Sequence, residues 1–233
     1  MKLRIKFAKS GVMRFIGHLD VMRYFQKAIR RAGIDIAYSE GFSPHQIMSF
    51  AAPLGVGLQS RGEYMDIEVY SCTSSKEMTE RLNRVMVPGM EILSVTMLEE
   101  QTKNAMASVA AARYLVRFRE GYEPEFDWVE QLKVFYQRPA IPILKQTKKS
   151  QLEVDLKPAI YSLDIQDKTI HLFVDASSSG NIKPRMILDA FLAEHGRVLE
   201  DAALEIIRED TYTDIGTDGQ PEYVPLDAVG RIF

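Results

Sequence analysis

The sequence predicts an α+β fold: tandem ferredoxin-like (βαββαβ) domains with antiparallel sheets. Three observations carry that prediction. At 233 residues the chain has room for two domains of about 100 residues each. Hydrophobic periodicity switches between strand and helix repeats in the order β-α-β-β-α-β across residues 1–101. The same order returns across residues 113–210, after a small-residue linker at 102–112.

Alternation at Leu3, Ile5 and Phe7 marks a strand with one buried face. Over residues 18–32 the period becomes helical: Val21, Phe25, Ala28 and Ala32, widened by Met22 and Ile29, form an apolar stripe, and Gly33 stops the helix. Residues 34–38, 46–51 and 64–70 read as strands. Residues 75–85 read as a helix capped by Ser74 or Ser75, with Met78, Leu82 and Val85 inward, and residues 90–97 form the next strand. In the second set, residues 114–118 are a strand, 126–136 a helix with Val129, Leu132 and Phe135 inward, and 141–145 a strand. Strands at 159–164 and 169–175 flank a polar turn at 165–168. The helix at 184–194 has proline early and Gly196 just past its end, and residues 204–209 close the set. Residues 211–233 form an acidic tail carrying Gly216, Gly219, Pro221 and Pro225 and are expected to be irregular.

Composition narrows the function classes. With 46% hydrophobic and 26% charged residues the chain reads as an ordinary globular protein. No apolar run approaches the ~18 residues of a membrane span. The start, MKLRIKF, runs straight into a strand pattern without a signal-peptide core, so the expected location is cytoplasmic. A single cysteine, Cys72, excludes an internal disulfide and any multi-cysteine zinc or iron–sulfur site. No phosphate-cradling glycine loop appears, and Gly55-Val56-Gly57 is too short to serve as one. The sequence therefore implies no metal and no cofactor.

Charge is strongly segregated behind a net value of −3. Residues 1–48 hold nine Lys/Arg against three acids, and residues 101–150 hold nine against five. The last 37 residues hold three against nine. Such asymmetry points to a polyanionic partner. On the first helix Arg23, Lys27, Arg30 and Arg31 are spaced to form a phosphate-tracking stripe, which Lys2, Arg4 and Lys6 could extend. The alternative is a solvated helix face with internal pairs such as Asp20–Arg23. A second cluster, Lys145, Lys148 and Lys149, is spaced as a clamp on phosphates, with Asp155 placed to order it. RNA binding through both clusters requires them to share one exposed surface.

The segment Tyr38-Ser39-Glu40-Gly41-Phe42-Ser43-Pro44-His45 is the most specific in character. Gly41 and Pro44 restrict the backbone to a turn, and Tyr38, Ser43 and His45 are candidate RNA contacts, with Phe42 expected in the core. His18 and His45 admit a second reading, a metal-independent endoribonuclease with one imidazole as base and the other as acid. With Asp20, Glu63 and Asp66 they would offer a two-histidine, one-carboxylate metal set, but the spacing matches no known motif.

The order Arg14-Phe15-x-x-His18-Leu19-Asp20-x-x-Arg23, then Arg30-Arg31-Ala32-Gly33, Tyr38-Ser39-x-Gly41-Phe42-Ser43-Pro44-His45, Pro53-Leu54-x-x-Gly57 and Ser60-x-x-Glu63-Tyr64-x-Asp66 resembles the bacterial radical SAM-linked protein family. That family is a domain of unknown function found fused to, or encoded beside, radical SAM enzymes. The resemblance implies a separate radical SAM enzyme as partner, because this chain lacks the three-cysteine motif that holds the cluster. Together these readings predict a non-catalytic protein that binds structured RNA, transfer or ribosomal, while the partner modifies it. A protein–protein adaptor, docking through the acidic tail or the Phe42 loop, is the remaining alternative.

Overall fold

A computed structural model describes residues 1–146 and 151–233, without the side chains of residues 145, 146 and 151. It is a mixed α+β protein whose paired strands are mostly antiparallel. The chain divides into two units, Met1–Ala110 with Arg208–Phe233, and Ala111–Ile207. The first unit is thus discontinuous. It takes in C-terminal residues that the sequence reading assigns to a second domain and an irregular tail.

In the first unit, β1 (Lys2–Lys9) presents Leu3, Ile5 and Phe7 to the core, all nearly inaccessible. Then α1 (His18–Arg31) buries Val21, Phe25, Ala28 and Ile29, the predicted stripe, and Gly33 follows with φ +63°. Short strands β2 (Asp35–Ile36) and β3 (Met48–Phe50) flank the Tyr38–His45 loop. They pair with the long β4 (Gln59–Ser71). Ser74 Oγ accepts from the Glu77 amide to start α2 (Ser75–Asn83), which leads to β5 (Met90–Leu98). Asn104 caps α3 (Ala105–Ser108), in the stretch read as a linker. The sheet order is β5-β1-β4. One face holds the core, where the rings of Phe7, Phe25 and Phe50 lie 4.7–6.1 Å apart.

The opposite face of this sheet is polar, because period-two alternation sends Lys2, Arg4 and Lys6 there. Register places Lys2 between Glu68 and Leu98, and Arg4 between Asp66 and Thr96. Arg4 is fully buried: its guanidinium grips Asp66 bidentately at 2.8 and 3.0 Å and donates to the carbonyls of Lys103 and Leu226. Asp66 also accepts from the Ala105 amide at 2.6 Å, pinning the start of α3.

In the second unit, β6 (Ala111–Phe118) is followed by α4 (Trp128–Tyr136), capped by Asp127. β7 (Pro142–Gln146) pairs with β8 (Gln151–Asp155), a strand absent from the sequence reading. Asp155 Oδ1 accepts from the amides of Ile141 and Lys157, so it fastens the base of this pair. β9 (Ile160–Gln166) and β10 (Thr169–Asp175) form a hairpin with Asp167 and Lys168 at positive φ. α5 (Pro184–Glu194) occupies the predicted span, and His195 at its end stacks on Phe126 at 4.4 Å. β10 pairs with β9 and β6, and residues 204–207 of β11 (Leu204–Asp214) end the unit.

From Arg208 onward β11 belongs to the first unit, and β12 (Tyr223–Pro225) pairs with it through Tyr212, Thr213 and Asp214. The tail is therefore ordered, contrary to the expectation from its acidity. Two of its carboxylates have partners: Asp214 accepts from the amides of Gly216 and Glu222, and Asp227 from the hydroxyls of Tyr64 and Ser94. Leu226 is fully buried.

Candidate nucleic-acid interface

The first unit gathers most of the predicted contact residues around α1. At about 100° per residue, Arg23, Lys27 and Arg30 fall within roughly a 60° arc of the helix surface. All three are exposed. Arg23 has a long 3.5 Å contact to Asp20, with both side chains in solvent, so the pair contributes little. Arg31 is exposed but leans away to donate to the Val85 carbonyl. The stripe does not extend across the sheet. Arg4 is consumed by Asp66, its partner across the strands, and Lys6 by Asp210.

The Tyr38–His45 loop is braced against the same helix. Ser39 Oγ lies 2.8 Å from His45 Nδ1 and accepts from the His45 amide, while the Ser39 amide donates to the His45 carbonyl. Tyr38 bridges to Gln46, and Gln46 Nε2 donates to the Gln26 carbonyl of α1. Gly41, at φ +104°, makes the turn at the tip. Phe42 is fully exposed, with a relative accessibility of 110%, which corrects the expectation that it fills the core. The closure of the loop on itself through Ser39 and His45 leaves nothing behind Phe42 to cover it. Tyr38, Ser43 and His45 are exposed as expected. Lys145 lies in β7; Lys148 and Lys149 lie outside the described residues.

His18 takes a different environment from His45. Its ring meets the edge of Phe50 at 5.3 Å and lines a small cavity with Lys9, Pro53, Leu54 and Glu63. Among the described residues no hydrogen bond or ring contact joins the two histidines, and no group of three or more His, Cys, Asp or Glu could hold a metal. The proposed carboxylate ligands are engaged elsewhere, Asp66 by Arg4 and Glu63 by Arg208.

The cavity exposes what sequence reasoning missed. Lys9, 2% exposed, donates to the Ile16 carbonyl at 2.9 Å. Arg208 reaches Glu63 at 3.0 Å and also donates to the Ala52 carbonyl. Burial pushes the Lys9 ammonium below its ordinary pKa; Glu63 opposes that shift and Arg208 adds to it. One buried carboxylate thus serves two cations. The motif residues His18, Pro53, Leu54 and Glu63 assemble here as a structural knot.

A sequence profile of an uncharacterized protein family conserved in bacteria, DUF2344, matches residues 2–184. The chain belongs to that family. No curated protein matches this DUF2344 member. Among solved structures, a chain in the crystal structure of a Cbf5-Nop10-Gar1 complex is similar over 90% of this chain and 48% of that one, at 13% identity and a TM-score of 0.46. This DUF2344 chain therefore spans about half the length of that neighbour. No helix among its described residues is long and apolar enough to cross a membrane.

Proposed function

We propose that this protein holds RNA through its first unit, with Arg23, Lys27 and Arg30 on phosphates and unpaired bases stacking on Phe42 and Tyr38. The observation that carries this is Phe42: a bare aromatic ring at the tip of a loop fastened by its own hydrogen bonds and tied to the cationic helix through Gln46. Base–aromatic stacking contributes about 1–3 kcal/mol per base, enough to compensate such exposure on binding. The radical SAM-linked resemblance supplies the rest of the reading, a separate radical SAM enzyme that modifies the bound RNA in the cytoplasm. Both units are read as ferredoxin-like, supported by the strand order β5-β1-β4 with β2 beyond β4 in the first, and by β6-β10-β9 in the second.

The test is fluorescence anisotropy with transfer RNA transcripts and single-stranded oligonucleotides across a salt series. Removing one phosphate-binding cation should flatten the log–log salt slope by about 0.7–0.9, so Arg23→Ala/Lys27→Ala/Arg30→Ala should flatten it by about two to three. Phe42→Ala should weaken binding without changing the slope. Affinity that is independent of salt, or untouched by both variants, would refute the proposal.

A further inference from the structure

Beside the buried Arg4–Asp66 pair, the polar face of the first unit's sheet carries a cleft of about 410 Å³. That is within the ~300–1,000 Å³ range of small-molecule sites. Its floor is a row of four residues, one from each neighbouring segment. The Glu68 amide donates to the Ile47 carbonyl, Glu68 faces Lys2, and Lys2 faces Leu98. Charged groups of opposite sign therefore sit at the centre with an apolar residue at either end. Thr102 and Asn104, from the segment after β5, help to line the cleft.

The polar groups of this row are underused. Among the described residues, the Glu68 carboxylate has neither a hydrogen bond nor an ion pair, although Lys2 is its partner across the strands. The Lys2 ammonium makes a single long contact, 3.4 Å to the Glu100 carbonyl. Asn104 Oδ1 is occupied by the Ala107 amide, which fixes the orientation of the side-chain amide and leaves its NH2 to donate. Asp66, by contrast, is neutralised by Arg4 and adds no free charge. The cleft thus offers one unpaired anion, one loosely held cation with an amide donor, and aliphatic ends.

We propose that this cleft binds a small zwitterion, a free α-amino acid with an apolar side chain. Its ammonium meets Glu68, its carboxylate meets Lys2 and the Asn104 amide, and its side chain lies against Ile47, the accessible apolar end of the row. A nucleotide is disfavoured because Glu68 opposes a phosphate and the cleft carries a single cation. This inference stands apart from the RNA reading, since none of these residues belongs to the α1 face or the Phe42 loop.

Isothermal titration and saturation-transfer NMR with L-leucine, L-methionine and L-phenylalanine test it on the full chain. 3-Methylbutylamine, which lacks the carboxylate, and 4-methylpentanoate, which lacks the ammonium, are the matched controls for leucine. At least one amino acid should bind, and each leucine control should bind roughly tenfold or more weakly than leucine. Glu68→Gln and Lys2→Met should each reduce amino-acid binding by a similar factor while leaving circular dichroism unchanged. Absence of binding by all three amino acids would overturn the proposal. So would an amine or an acid that binds as well as leucine, or binding that survives both substitutions.

Discussion

Replacing Glu63 with glutamine should destabilise the first unit in a way that depends on pH. Glu63 and Arg208 are both more than nine-tenths buried, and the Lys9 ammonium feels the same carboxylate. Removing one partner of a buried ion pair costs about 3–5 kcal/mol, because the other charge is left without compensation. Glutamine keeps the volume and one acceptor oxygen, so the lower part of that range is expected at neutral pH. The variant also loses the attraction that holds the Lys9 pKa up, so Lys9 releases its proton at lower pH than in the parent. Between the folded and unfolded pKa of Lys9 the unfolded chain binds more protons, and stability rises with pH. That rise approaches about 1.4 kcal/mol per pH unit for one proton. The window opens at a lower pH in the variant, so its deficit should narrow as pH climbs through that window. It should not vanish, since Arg208 keeps its charge. Urea unfolding followed by circular dichroism, in steps of pH, measures the difference directly. A deficit below about 1 kcal/mol at neutral pH would show that the knot is not energetically coupled. A deficit independent of pH would show that Lys9 does not respond to Glu63.

Other consequences can be checked separately. Tyr64 donates to Asp210 at 2.6 Å and reaches Asp227 at 3.1 Å, and burial together with these two carboxylates drives its pKa far upward. The unfolded phenol ionises near pH 10 whereas the folded one does not, so this stabilisation is complete below that pH and is lost as pH rises beyond it. Tyr64→Phe should cost about 1–3 kcal/mol at neutral pH and remove that part of the alkaline loss, measured by urea unfolding between neutral and alkaline pH. Arg4→Met should free Asp66 and deprive Lys103 and Leu226 of their donor; faster amide exchange at Ala105 and around residues 226–229 is the expected result, and unchanged exchange would contradict the pinning role. Phe42→Ala should leave stability within about 0.5 kcal/mol, whereas Phe25→Ala, at a fully buried position, should cost about 3–5 kcal/mol in thermal or urea unfolding.

The parts of the fold legible in the sequence are those fixed by near neighbours. The α1 stripe and its stop at Gly33 follow from local spacing, as do the limits of α5 from Pro184 and Gly196. What was hidden depends on partners far along the chain. Arg4 looks like a surface cation in an alternating strand and Lys9 like a charge at the strand's end, yet Asp66 and the Ile16 carbonyl allow them to be buried. Asp210 and Asp227 look like solvated acids until Lys6, Tyr64 and Ser94 are seen to hold them. For the candidate site, the helical cations were legible because three- and four-residue spacing sets their direction. Phe42 was misplaced because hydrophobicity alone cannot reveal that the loop closes before it reaches the core. The cleft above Glu68 and Lys2 was invisible, since its floor draws on four separate segments.

The guanidinium of Arg4 has a consequence for biosynthesis. It reaches partners 62, 99 and 222 residues further along the chain. During translation Asp66 becomes available to the guanidinium early, but the Leu226 carbonyl is made only after the whole intervening second unit. Closure of the amino-terminal unit is therefore a late folding step, and a ribosome stalled before residue 226 would hold a nascent chain with that unit still open to chaperones and proteases.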